Sequence, residues 1–103
     1  MEFSPGQGNF RRRITLKSKG HPESFAELAL PLEEGEVVTY EWTAEGEVDF
    51  NIHSHHGKEV DYHEKFRGSE LHGRFEGPRK DQFYLMWQNR SPESVEIEIQ
   101  VSR

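Results

Sequence analysis

Histidine is the anomaly of this sequence: six occur in 103 residues, and His53, His55, His56 and His63 fall within eleven positions, with His72 shortly after. Neutral imidazole is the commonest protein ligand for borderline metals, so a nitrogen-rich, sulfur-free set points to copper(II), zinc or nickel rather than copper(I). Alternation along extended chain puts His53 and His55 on one face, opposite Ile52, and puts Asp61 and His63 on one face, opposite Val60 and Tyr62. A turn at Gly57 that folds these segments into a hairpin is expected to make the two polar faces coincide, gathering three imidazoles and a carboxylate on one surface. The expected ligands of a divalent transition metal are therefore His53, His55 and His63, with His56, His72 and Asp61 as further donors. His-Ser-His-His matches no closed zinc motif, so this expectation rests on the hairpin. The same cluster has a metal-free chemistry, because near pH 6 the imidazoles become mutually repelling cations that shift a loop or an interface.

Other chemistry is thinner. No nucleophile elbow, phosphate loop or metalloprotease motif occurs, so no catalytic residue is assigned and a non-enzymatic role is expected. Met86 beside Trp87 has the composition of a soft copper(I) contact, but a strand expected to be buried on both faces makes it core. Asn89-Arg90-Ser91 satisfies the glycosylation pattern formally, while Asn at a turn is first of all a residue that tolerates left-handed geometry. The absence of cysteine excludes disulfides, iron–sulfur clusters, thiolate zinc sites and the blue-copper centre. Thirteen Lys and Arg against 19 Asp and Glu give a formal charge of -6, which repels a phosphate backbone and argues against nucleic acid as a partner. The basic run Arg11-Arg12-Arg13 reads as a solvated strand entrance, with contact to a membrane surface as the sharper alternative.

The elements that must position these residues are strands. Val95, Ile97, Ile99 and Val101 alternate with Glu96, Glu98, Gln100 and Ser102, which gives one core face and one wet face. Asp81 to Gln88 carries Phe83, Leu85 and Trp87 on one side and Tyr84 and Met86 on the other, the pattern of a strand covered on both faces. Val37 to Trp42 and Val48 to His53 are read as two strands joined through Thr43–Glu47, a short polar link with a glycine. Phe10 to Lys17 and Phe25 to Leu32 supply two more, the second ended by Pro31 and Gly35 before a helix could form. Val60 to Phe66 and Leu71 to Phe75 are expected as separate strands around Gly68. About seven strands with glycine-marked turns predict an all-β fold, a single antiparallel β-sandwich over residues 10–103 preceded by a flexible segment at residues 1–9. Twelve aromatic residues spread along the chain are enough to build its core.

The order of these features, with Tyr40-Glu41-Trp42, then Phe50-Asn51-Ile52-His53, then Trp87-Gln88-Asn89-Arg90, resembles the GOLD-like β-sandwich and, within it, small prokaryotic membrane-anchored proteins of undefined role. The resemblance runs from about Ala26 to Val101. It implies a GOLD or jelly-roll-like topology, a place for His53 in the family pattern, and an extracytoplasmic domain, periplasmic or at the cell surface, whose N-terminal anchor has been removed; a cytoplasmic domain is the alternative. The function expected is a small non-catalytic binding domain holding copper, zinc or nickel through the histidine hairpin. Its rival is a protein–protein interaction or adaptor module, in which residues near Tyr62 and Phe66 meet a protein partner and no metal is involved.

Overall fold

The computed structural model describes residues 2–3 and 9–103. The described residues form seven strands and no helix: β1 (Glu2–Phe3), β2 (Phe10–Leu16), β3 (Phe25–Leu32), β4 (Val37–His56), β5 (Glu59–Glu76), β6 (Asp81–Gln88) and β7 (Val95–Ser102). Hydrogen bonding runs in the order β1-β3-β6-β4-β7-β2, with β5 on the other side of β4. Every pairing is antiparallel except the short parallel contact of β1 with β3, where Glu2 faces Glu27 and Phe3 faces Leu28. Of the first nine residues expected to be flexible, those at 1 and 4–8 lie outside the described residues.

β4 makes this one curled sheet into a sandwich. Its first part, Thr39 to Ala44, pairs with β7, and its second part, Asp49 to Ser54, pairs with β6, while β5 follows it along both parts. One layer is therefore β3, β6, the second half of β4 and the first half of β5; the other is β2, β7 and the remaining halves. Even-numbered residues of β4 point inward as far as Ile52: Val38, Tyr40, Trp42, Val48, Phe50 and Ile52 all join the core. Phe50 lies between the two tryptophans, its ring centroid 5.5 Å from Trp42 and 5.4 Å from Trp87. The regular alternation of β7 is realised as expected, since Val95, Ile97, Ile99 and Val101 are all buried. Burying each such side chain fully contributes about 1.5–3 kcal/mol.

Two expected turns are absent. Thr43–Glu47 does not close a hairpin but carries β4 across a register shift between Thr43 and Val48, and Gly68 lies inside β5 rather than between two strands. Neither Gly46 nor Gly68 has positive φ; among the described residues Gly20, Gly35 and Gly57 do. These two glycines serve close packing instead: a Cβ on Gly46 would touch Val95 Cγ2 at 3.4 Å, and one on Gly68 would meet the Phe66 ring at 2.8 Å. β6 is also only partly as read, for Phe83, Leu85 and Trp87 are fully buried while Tyr84, Met86 and Gln88 are half-exposed on the outer face.

Candidate binding face

The outer face of the first layer is a grid fixed by strand register. Across β3, β6, β4 and β5 its rows read Phe25, Gln88, Asp49, Arg67; then Glu27, Met86, Asn51, Lys65; then Ala29, Tyr84, His53, Tyr62. A last row adds Pro31 beside Gln82 and His55 beside Val60. Histidines, tyrosines, amides and cations thus share one surface because alternate residues of a strand share one side.

The hairpin at Gly57 forms, but it does not unite the expected ligands. Gly57 takes a φ of 64° and, with Lys58, makes a two-residue loop that pairs His56 with Glu59. Glycine at the first loop position suits the primed turns that match strand twist. A two-residue loop pairs odd positions with even ones, so His53 and His55 face Tyr62 and Val60, and Ser54 faces Asp61. The coincidence of faces expected for His53, His55, Asp61 and His63 is corrected by that parity. His63 is the extra residue of a bulge between the Ile52–Glu64 and His53–Tyr62 pairs. It turns inward, with Nε2 2.9 Å from Ser54 Oγ and its ring packed on Phe75 and Phe83. Asp61 lies 3.6 Å from Arg79, which also donates to Ser54 Oγ at 3.1 Å. His56 ends β4 in solvent, and His72 is exposed opposite Glu41 on the other layer. Among the described residues no group of three or more His, Asp or Glu side chains is arranged to hold a metal ion. What the fold does bring together is His53 and His55, whose ring centroids are 5.2 Å apart at near right angles.

His53 is the buried member of the face, only 5% exposed. Its Nδ1 is 2.6 Å from Asn51 Oδ1, its Nε2 is 3.4 Å from a Glu27 carboxylate oxygen, and its ring stacks on Tyr84 at 5.3 Å. Burial pushes the imidazole below its ordinary pKa, and the proximity of His55 and His63 pushes the same way. A histidine so enclosed orders its neighbours rather than titrating freely against solvent. Ser54 and His63 have the elements of a nucleophile and base, but Ser54 has no exposed surface, so its hydroxyl cannot meet a substrate.

Beside His53 the face opens into a cleft of about 500 Å³ lined by Asp49, Asn51, Tyr62, Lys65, Met86 and Arg90, among others. Val60, Tyr62 and Phe66 are the large apolar residues most exposed in the described chain, at 40%, 53% and 38%, and all three are on β5. Lys65 Nζ sits 4.2 Å from the centre of the Tyr62 ring. Arg90 is hydrogen-bonded to Asp49 and, at 3.3 Å, to Gln88 Oε1. Sequence reasoning named Tyr62 and Phe66 but missed Asn51, Lys65, Tyr84, Met86, Gln88 and Arg90. The alternation of Gln82, Tyr84, Met86 and Gln88 was the available signal, masked by reading β6 as covered on both faces.

Asn89, in the expected glycosylation pattern, is buried, and its amide is fully used. Nδ2 donates to the carbonyls of Lys17 at 3.0 Å and Glu93 at 2.7 Å, and Oδ1 accepts from the Ser91 amide at 2.9 Å. Arg11 and Arg13 lie 3.2 and 3.5 Å from Glu98 of β7, as expected of a solvated strand entrance.

No protein-family profile matches this chain, and no curated protein matches it either. Solved structures do. The pre-peptidase C-terminal domain of a Bacillus anthracis collagenase superposes with a TM-score of 0.70 at 11% identity, covering 98% of this chain and 92% of its own. Aeromonas hydrophila PliG, a periplasmic inhibitor of g-type lysozyme, gives 0.64 at 14% identity, covering 97% and 90%. A CBM4 structure gives 0.65 at 11% identity, covering 90% and 70%. At these identities the likeness is one of fold: the chain is a small all-β domain of sandwich type.

Proposed function

We propose that this chain is a non-catalytic, extracytoplasmic binding module that engages a protein partner through the outer face of its first layer. The observation that carries the reading is the concentration of Tyr62, Met86, Arg67 and Arg90 around one open cleft, on a face where His53 is locked in place against Tyr84. Tyr, Met and Arg are the residue types enriched where protein interfaces are most tightly packed, and a rigid sheet presents them with little ordering cost. Structural likeness to a periplasmic protein inhibitor supports both the partner class and the compartment. In the same reading the GOLD-like resemblance implies an N-terminal anchor beyond this chain, which would hold the face near a membrane.

The test uses capture from periplasmic and cell-surface fractions of the native host, followed by affinity measurement on the retained protein. Wild type is expected to bind at least about tenfold tighter than Tyr62→Ala/Met86→Ala, the usual scale for central interface residues. Thr39→Asp on the opposite layer should bind as wild type does. Equal affinity for wild type and the Tyr62→Ala/Met86→Ala variant removes the proposal.

A further inference from the structure

We infer that the cleft beside His53 is an anion subsite that receives a carboxylate from an acidic segment of the partner protein. This inference rests on the proposed binding face and names what that face recognises. The argument is a count of hydrogen-bonding capacity along the cleft. Asn51 spends its Oδ1 on His53 Nδ1, and Gln88 spends its Oε1 on Arg90 Nη2. Each amide oxygen thereby accepts one hydrogen bond, while neither amide nitrogen has a partner among the described residues. Asp49, the carboxylate of the lining, is already held by Arg90 and lies 3.7 Å from Arg67. Lys65 has no carboxylate within ion-pair distance among the described residues and rests over the Tyr62 ring. Of the three cations of the lining, Arg90 is held by Asp49 and Arg67 by Glu47 at 2.7 Å, so Lys65 is the one with no carboxylate partner among the described residues. Two amide donors without acceptors beside an ammonium without a carboxylate fit a ligand that brings oxygen acceptors and negative charge.

The source of the carboxylate follows from Tyr62. An acidic sugar would use an aromatic ring as a stacking platform, but Lys65 already occupies a face of the Tyr62 ring at 4.2 Å from its centre. An Asp or Glu side chain needs no such platform: it meets the Lys65 ammonium and the amide nitrogens directly, while its neighbours in the partner contact Met86 and the Tyr62 edge. An acidic peptide is the occupant this geometry favours.

The test is an amide NMR titration of the intact chain with the peptide acetyl-Tyr-Glu-Glu-Glu-amide, its Gln counterpart and a galacturonate trimer. Saturable shifts confined to residues around Asn51, Lys65, Met86 and Gln88 are expected with the Glu peptide, with the Gln peptide at least about tenfold weaker because charge-assisted bonds are lost. Lys65→Met keeps the aliphatic cover on Tyr62 and removes only the charge; it should weaken the Glu peptide about threefold, and Lys65→Met/Arg67→Gln about tenfold. Raising the ionic strength should weaken binding in the wild type more than in the double variant. Equal binding of Glu and Gln peptides, preference for the galacturonate trimer, or no saturation up to about 10 mM would overturn the inference. Retention of the captured partner at wild-type affinity by Lys65→Met/Arg67→Gln, together with its loss in Tyr62→Ala/Met86→Ala, would sink the anion subsite while leaving the binding module standing.

Discussion

Replacing Gly73 with alanine is the sharpest test of how the binding face is held. Gly73 sits opposite Tyr40 in the β4–β5 ladder, and a Cβ there would lie 2.5 Å from Tyr40 Oη and 2.6 Å from Cζ. The Tyr40 ring is 5% exposed, packs on Phe50, and sends its hydroxyl to Glu64, the residue that follows the His63 bulge. Burial, reinforced by the Glu64 carboxylate, raises the pKa of that hydroxyl, so it stays a donor at all ordinary pH. The tyrosine thus ties the first half of β4 to the part of β5 whose phase turns Tyr62 and Lys65 outward. Overfilling a packed site typically costs about 1–3 kcal/mol, and a hydrogen bond to a charged group contributes about 1.5–3 kcal/mol. Because the two losses share one side chain they overlap, and Gly73→Ala should cost about 2–4 kcal/mol. For a domain of this size each kcal/mol lowers Tm by about 4–8 °C, so a drop of roughly 10 °C or more is expected by circular dichroism. In a Tyr40→Leu background the added methyl finds space, and most of the cost should vanish. Gly68→Ala is the contrast: its clash is with Phe66, a ring 38% exposed that can swing into solvent, so it should cost under about 1 kcal/mol. Gly73→Ala melting within about 3 °C of wild type, or costing the same with and without Tyr40, would refute the reasoning.

Two further expectations concern buried polar groups. His53 has a folded pKa below its ordinary 6.5, so the unfolded chain takes up this proton first as pH falls. Its contribution to stability is therefore complete above about pH 6.5 and declines as pH drops toward the folded value, with a slope of at most about 1.4 kcal/mol per pH unit. Urea midpoints between pH 7.5 and 5.5 should fall in the wild type and fall less in His53→Gln; parallel declines would show that His53 carries none of the effect. Asn89→Ala strands the Lys17 and Glu93 carbonyls and the Ser91 amide, and should cost about 2–4 kcal/mol by chemical denaturation. A cost below about 1 kcal/mol would mean that water replaces the amide without loss.

The parts of this fold that were legible in the sequence are those where one local rule decides. β7 alternates without interruption, β3 closes at Leu32 just after Pro31, and Gly57 offers a two-residue turn, so their existence and type follow from nearest neighbours. The length of β4 was not legible in that way, because Thr43–Glu47 has the polarity and glycine of a hairpin. The distinguishing signal was subtler: Val38, Tyr40, Trp42, Val48, Phe50 and Ile52 are all even positions, so the inward phase runs unbroken through the supposed turn. The metal cluster failed at a still finer level. Assigning His53 and His55 to the same side as Asp61 and His63 needed a loop of odd length, and Gly57-Lys58 is even. Since strand side chains have a period of two, that single residue decides whether four polar groups meet or lie on opposite sides of the sheet.

The same sensitivity explains why the candidate face sits on β5. This strand shifts register against β4 at two places, opposite Thr43/Val48 and at His63, while β4 keeps its even residues inward. Each shift changes which side chains of β5 face the interior. Between them Phe66 and Glu64 take the side of Phe50 and Ile52, with Phe66 still 38% exposed at the sheet edge, and beyond the second it is His63 that packs on Phe75 and Phe83. Tyr62 and Val60 are left in the outward rows with His53 and His55, so their exposure follows from register rather than from a failure to find core. Among the described residues β5 is also an edge strand, paired with β4 alone, and natural edges carry charges and bulges that discourage indiscriminate pairing. Lys65, Arg67 and the His63 bulge meet that need, and the first two are among the cations that line the cleft. In the proposed reading, a strand kept from pairing through its backbone would bind through its side chains, and selectivity for an acidic partner would rest on them.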